Sequence, residues 1–139
     1  MTISLKSVLV TGAASGLGRE VSLALAGHSV SVICVDANAE GLGATVKEIR
    51  NRGGSAEAFT ADIASEAAVA AAFAPLTNRS PALDGLVTCA GVQNTTRILD
   101  LTTAEWNRVM AINLTGTFLC IQHALRIMMP HKQGRIVTI

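Results

Sequence analysis

Short unbroken runs of Val, Ile and Leu alternate along this chain with longer segments in which apolar residues recur every three or four positions. The runs near residues 7–10, 30–35, 56–60, 85–88 and 135–139 read as strands. The periodic segments near 17–27, 39–52, 66–76 and 103–129 read as helices. Apolar runs without polar alternation suit parallel strands covered on both faces. The strand-helix-strand order therefore predicts an α/β fold, a parallel sheet joined by right-handed crossovers.

Local signals mark the helix ends. Asn38 caps the second helix and Gly53-Gly54 stops it. Ser65 caps the third, and Thr102 with Glu105 forms a T-x-x-E capping box for the fourth. Along that last helix Val109, Ile112, Gly116 and Cys120 fall near one face, while Met110, Leu114, Ile121 and Leu125 fall near others. A helix apolar on more than one face is expected to pack on the sheet and also on a further segment or a second subunit.

Length and composition narrow the class. The 139 residues fit one domain, and 50% of them are hydrophobic, enough for a core. Charged residues make up 15% and the net charge is +1, so neither nucleic acid nor an anionic membrane is an expected partner. The apolar runs fall far short of a bilayer span. Residues 1–6 lack the charged-then-apolar layout of a signal peptide. Cys34, Cys89 and Cys120 are widely spaced, odd in number and set among apolar residues. They read as reduced, buried thiols of a cytoplasmic protein, and with no CxxC pair no metal site is expected.

The candidate chemistry begins at Thr11-Gly12-Ala13-Ala14-Ser15-Gly16-Leu17-Gly18, between the first strand and the first helix. Its glycines permit a sharp turn and a close backbone approach by a ligand. Free N–H groups and the positive end of the helix dipole would then face a pyrophosphate. The expected contacts are Gly12, Ser15, Gly16, Leu17 and Gly18. Asp36, at the end of the second strand, can accept hydrogen bonds from the ribose hydroxyls of NAD and would repel the 2′-phosphate of NADP. No Arg or Lys at Ala37 or Ser15 reverses that preference. A solvated strand-end acid is the alternative for Asp36.

The spacing G-x-x-x-G-x-G resembles the Thr-Gly-x-x-x-Gly-x-Gly motif of the short-chain dehydrogenase/reductase family, and the resemblance continues in order along the chain. Asp62-Ile63 looks like the family's adenine-contacting acid and its neighbour. Thr88-Cys89-Ala90-Gly91 resembles its Asn-Asn-Ala-Gly, with both asparagines replaced. Trp106, Asn113-Leu114-Thr115-Gly116 and Gly134-Arg135-Ile136-Val137 match later motifs. The resemblance implies a Rossmann-like doubly wound sheet, one NAD(P)-binding domain over residues 1–139, with strands in the order 3-2-1-4-5. It implies adenine contacts at Asp62 and the Ile63 N–H, and close passage of Ala90 and Gly91 by the cofactor. It gives Asn113 a catalytic role, support of a proton relay through a water to a lysine. The plainer alternative for Asn113 is a buried amide satisfied by the helix backbone.

The family transfers hydride between nicotinamide and an alcohol or carbonyl carbon, with a tyrosine as general acid/base. This sequence contains no tyrosine, and it ends at Ile139 within its fifth strand. The expectation is a domain incomplete at the C-terminus, with the last strands missing, the catalytic Ser, Tyr and Lys absent, and the chain inactive alone. A bare apolar edge strand should make it marginally stable and prone to self-association. The full-length form is expected to be a homo-oligomer acting on a small alcohol or carbonyl compound. A non-catalytic NAD-binding module and a functionless gene fragment are the other readings.

Overall fold

The computed structural model describes residues 5–139, so most of the N-terminal segment read above for a leader lies outside the described residues. The chain runs β1 (Ser7–Thr11), α1 (Gly16–Gly27), β2 (Ser31–Asp36), α2 (Ala39–Asn51), β3 (Ala56–Thr60), α3 (Glu66–Phe73) and β4 (Gly85–Thr88). A long helical arm follows, then β5 (Arg135–Thr138). All neighbouring strands are parallel, in the order β3-β2-β1-β4-β5. The fold is thus the doubly wound α/β sheet that the resemblance implied.

Alternation along the central strands builds two apolar layers. Val8, Val10, Val32 and Cys34 point to one face, where Leu42, Val46 and Ile49 of α2 cover them. Leu9, Ile33, Val35 and Leu86 point to the other and meet Val69 and Phe73 of α3. The long helical arm supplies Leu119, Cys120, Ala124 and Ile127 to that same layer. Both faces being covered, the strands need no polar residues between the apolar ones, which is why they read as unbroken runs.

The capping signals are realised. Asn38 accepts the Gly41 N–H, Ser65 accepts the Ala68 N–H, and Thr102 and Glu105 exchange both bonds of the capping box. Asp84, buried at the foot of the sheet, accepts the Lys6 and Ser7 N–H groups and the Gln133 amide. It ties the starts of β1, β4 and β5 together.

Two expected helices are corrected. The segment 66–76 is α-helical only to Phe73 and tightens to a 3-10 turn over Ala74–Leu76, where Pro75 lacks the N–H that an α-turn needs. The segment 103–129 is not one uniform helix: α4 (Thr103–Met110) passes into a π-helical stretch (Ala111–Gly116) and then α5 (Thr117–Met128). A period of 3.6 residues cannot reveal a wider turn in its midst. The outer face of this arm carries Leu114, Phe118, Leu125 and Met129 in the open, so it is apolar on more than one side.

Candidate functional site

The strand order reverses between β1 and β4, and the segments that leave the carboxyl ends of β1, β2, β3 and β4 line a crevice there. Open parallel sheets form their ligand crevices at such a point. Here the crevice has a volume of about 480 Å³. It brings together all ten residues the sequence nominated for cofactor contact: Gly12, Ser15, Gly16, Leu17, Gly18, Asp36, Asp62, Ile63, Ala90 and Gly91.

The glycine turn is built as the spacing requires. Gly12 has φ +70°, and a Cβ there would stand 2.7 Å from the Ala90 nitrogen. A Cβ on Gly18 would stand 2.1 Å from the Gly12 carbonyl oxygen. No larger residue fits either place without moving the turn. The first ladder bond of α1 runs from the Arg19 N–H to the Ser15 carbonyl, so the N–H groups of Gly16, Leu17 and Gly18 have no intrahelical partner. Ser15 makes no side-chain cap bond, which leaves its hydroxyl open to a ligand. Donors, dipole and an exposed hydroxyl at one helix start fit a pyrophosphate.

Asp36 closes the end of β2. Its Oδ2 accepts the Ala14 N–H at 3.0 Å and its Oδ1 accepts the Asn38 N–H at 2.9 Å. A carboxylate offers about four lone-pair sites, so each oxygen retains one for a ribose hydroxyl. The acid is therefore a strut of the turn as well as a wall of the crevice. Asp62 behaves similarly. Its Oδ1 accepts the Ala64 N–H at 2.9 Å, and its Oδ2 has no partner among the described residues.

The stretch after β4 passes tightly beside the turn. Ala90 donates its N–H to Thr11 Oγ1 at 3.2 Å, and Cys89 donates to the Thr11 carbonyl at 3.3 Å. Thr11 thus ties the end of β1 to the stretch after β4. Thr88, one of the replacements, is buried with its Oγ1 unpartnered.

Asn113 does not line the crevice. It is exposed rather than buried, and its amide bonds the Val92 backbone rather than its own helix. Its own carbonyl accepts the Thr117 hydroxyl at 2.9 Å. Cys89 also differs from expectation: it is only partly buried and faces the crevice, whereas Cys34 and Cys120 are buried. Besides Cys89, the sequence reading missed Val35, Ala37, Ala61, Val92, Arg108 and Ile112 as lining residues. Arg108 and Ile112 share the four-residue spacing of Gly116, the one signal that could have found them. Among the described residues no group of three or more His, Cys, Asp or Glu could hold a metal, and no helix is long and apolar enough to cross a membrane.

Comparison with known proteins identifies the family. The family model described as short chain dehydrogenase matches residues 6–139. The chain belongs to the short-chain dehydrogenase family. Among curated members it is 36% identical, over 100% of its length, to the (2S)-[(R)-hydroxy(phenyl)methyl]succinyl-CoA dehydrogenase subunit BbsD of Thauera aromatica, covering 56% of that protein. It is 36% identical, over 96% of its length, to a 3-oxoacyl-[acyl-carrier-protein] reductase of Aquifex aeolicus, covering 54% of it. Among solved short-chain dehydrogenases, one from Mycobacterium ulcerans superposes with a TM-score of 0.90 at 31% identity, over 98% of this chain and 52% of that one. An actinorhodin polyketide ketoreductase solved with NADPH gives 0.91 at 33% identity, over 96% and 52%. This short-chain dehydrogenase chain spans about half the length of the curated relatives it matches.

Proposed function

We propose that the chain forms the cofactor-binding part of an NAD-dependent oxidoreductase that transfers hydride between nicotinamide and an alcohol or carbonyl compound. The observation that carries this reading is the crevice at the switch point of the sheet. Its glycine turn would hold the pyrophosphate on the N–H groups of Gly16, Leu17 and Gly18. Asp36 would take the ribose hydroxyls, and its charge in that position is the reason for preferring NAD to NADP. Asp62 Oδ2 and the Ile63 N–H would meet the adenine edge. When bound, the nicotinamide supplies the hydride donor or acceptor. The protein's part at this site is to bind and orient.

The sequence contains no tyrosine, so the general acid/base of the reaction would come from residues beyond these 139, and the chain alone would bind without turnover. Asn113 would act as a positioning residue through Val92. The substrate would be a small alcohol or carbonyl compound, and the full-length protein a homo-oligomer in the cytoplasm. A binding module that uses NAD without catalysis is favoured by one observation: every residue nominated for cofactor contact lies between Gly12 and Gly91, within one crevice of this chain.

Calorimetric titration of the chain with NAD and NADP tests the proposal. NAD should bind more tightly, and Asp36→Ala should narrow the gap by weakening NAD and relieving NADP. Tighter binding of NADP to the unaltered chain, or no binding of either at millimolar concentration, would overturn it.

A further inference from the structure

The crevice has one cationic lining residue among the described ones, Arg108, and no proposed contact uses it. Two carboxylates, Asp36 and Asp62, line the same crevice. Even so, the guanidinium of Arg108 is in no ion pair and no side-chain hydrogen bond among the described residues. An exposed arginine with no partner among the described residues, beside a site read as one for a dinucleotide, invites a ligand contact.

Its place in the fold says which part of the ligand it would meet. The turn after β1 fixes the pyrophosphate and Asp36 at the end of β2 fixes the adjoining ribose. The base must then lie further out, beside the Ala61-Asp62-Ile63 stretch that leaves β3. On that side the long helical arm rests directly on the stretch: a Cβ on Gly116 would stand 2.7 Å from Ile63 Cδ1. One turn earlier on the same face, Ile112 lines the crevice, and one turn earlier again stands Arg108. Gly116 is buried against Ile63, Ile112 is half-buried at the crevice wall and Arg108 is exposed, so the three run outward along one face of the arm.

We infer that Arg108 caps the adenine, laying its guanidinium plane on a ring that rests against Ile63 and Ile112. A planar, weakly hydrated guanidinium stacks on an aromatic face in a way that a lysine ammonium does not. The inference rests on the reading of the crevice as a dinucleotide site and adds a binding residue to it. Arg108 touches neither the hydride-bearing ring nor the pyrophosphate in this arrangement, so its contribution belongs to the adenosine half alone.

The test is calorimetric titration of NAD, ADP-ribose and nicotinamide mononucleotide into the unaltered chain, Arg108→Leu and Arg108→Lys, with circular dichroism to show that each is folded. Arg108→Leu should weaken NAD and ADP-ribose alike by about two- to fivefold, the range of an exposed cation–π contact. Nicotinamide mononucleotide should bind all three chains equally, and Arg108→Lys should stay near Arg108→Leu. Unchanged NAD affinity in Arg108→Leu would overturn the inference and leave the dinucleotide site standing. So would full rescue by Arg108→Lys that vanishes at about 0.5 M salt, because a screened point charge would then be acting on a phosphate. Failure of the unaltered chain to bind either NAD or ADP-ribose would instead remove the site reading, and the inference with it.

Discussion

Asn113 holds the backbone of Val92 by both of its polar groups. The Asn113 Nδ2 donates to the Val92 carbonyl at 2.9 Å and the Oδ1 accepts the Val92 N–H at 2.8 Å. A residue of the π-helical stretch thereby fixes the chain just beyond Ala90 and Gly91, on the wall of the crevice. Wider π turns recur at functional sites because they re-aim side chains that a regular helix would place elsewhere. Asn113→Ala should remove both bonds at a cost of about 1 kcal/mol, since the pair is exposed and water replaces it in part. Urea unfolding would measure that loss. NAD titration should show a weaker affinity as well, because a loosened Val92 no longer orders the wall beside it.

Thr88 presents the opposite situation, a buried hydroxyl with nothing to bond. A buried polar atom without a partner costs the full loss of its hydration. Thr88→Val keeps the shape and β-branching and removes that atom. The substitution should raise stability by about 1 kcal/mol, seen as a higher urea midpoint at unchanged slope. A lower midpoint would mean that the hydroxyl is satisfied.

Gly18 and Gly16 separate two reasons for glycine in one turn. A Cβ on Gly18 would meet the Gly12 carbonyl oxygen, whereas a Cβ on Gly16 would enter open space at φ +51°. Gly16→Ala should cost only about 1 kcal/mol, the strain of a left-handed residue. Gly18→Ala must push the turn off α1, and should abolish NAD binding. Parallel titrations and thermal melts of the two variants distinguish backbone strain from steric exclusion.

The thiols should differ in reactivity. Burial pushes the Cys34 and Cys120 thiols up to about 11. The Cys89 thiol is raised as well, by milder burial, and it faces the crevice. The thiolate is the reactive form and must also be reached. Iodoacetamide at mildly alkaline pH should therefore label Cys89 first, with Cys34 and Cys120 reacting only on unfolding. Saturating NAD should slow labelling of Cys89, read by mass spectrometry of the peptides.

His123 should give the fold a modest acid sensitivity. Its ring lies 5.5 Å from that of Phe73, between centroids. Burial, and then the nearby Arg126 charge, hold its pKa below the ordinary value, with Glu66 acting in the other direction. The unfolded chain then binds more protons than the folded one as pH falls below about 6.5. Stability should drop from that point down through the folded-state pKa. His123→Gln should flatten this part of the stability–pH curve, measured by urea midpoints across the range.

Much of the molecule is legible in the sequence because its determinants are local. Apolar runs mark strands covered on two faces, and Asn38, Ser65 and Thr102 with Glu105 mark helix starts through bonds to residues three positions away. The glycine turn and Asp36 are readable for a related reason, since each residue type is demanded by its own backbone geometry or charge. The π-helical stretch is illegible because its residues, Ala111–Gly116, carry the apolar spacing of an ordinary helix. Arg108 and Ile112 were hidden in the same way. They lie far from the turn in sequence and join it only when the helical arm settles on Ile63.

The sequence by itself determined which segments become strands and helices, where the glycine turn falls and which acid follows β2, because each depends on residues near in the chain. Tertiary structure alone decided that Asn113 grips Val92 rather than its own helix. It decided as well that the Thr88 hydroxyl is buried without a partner while the Thr11 hydroxyl accepts the Ala90 N–H, and that Arg108, unpaired among the described residues, lines the crevice. Those outcomes depend on distances between segments remote in sequence, which are set only when both faces of the sheet are packed.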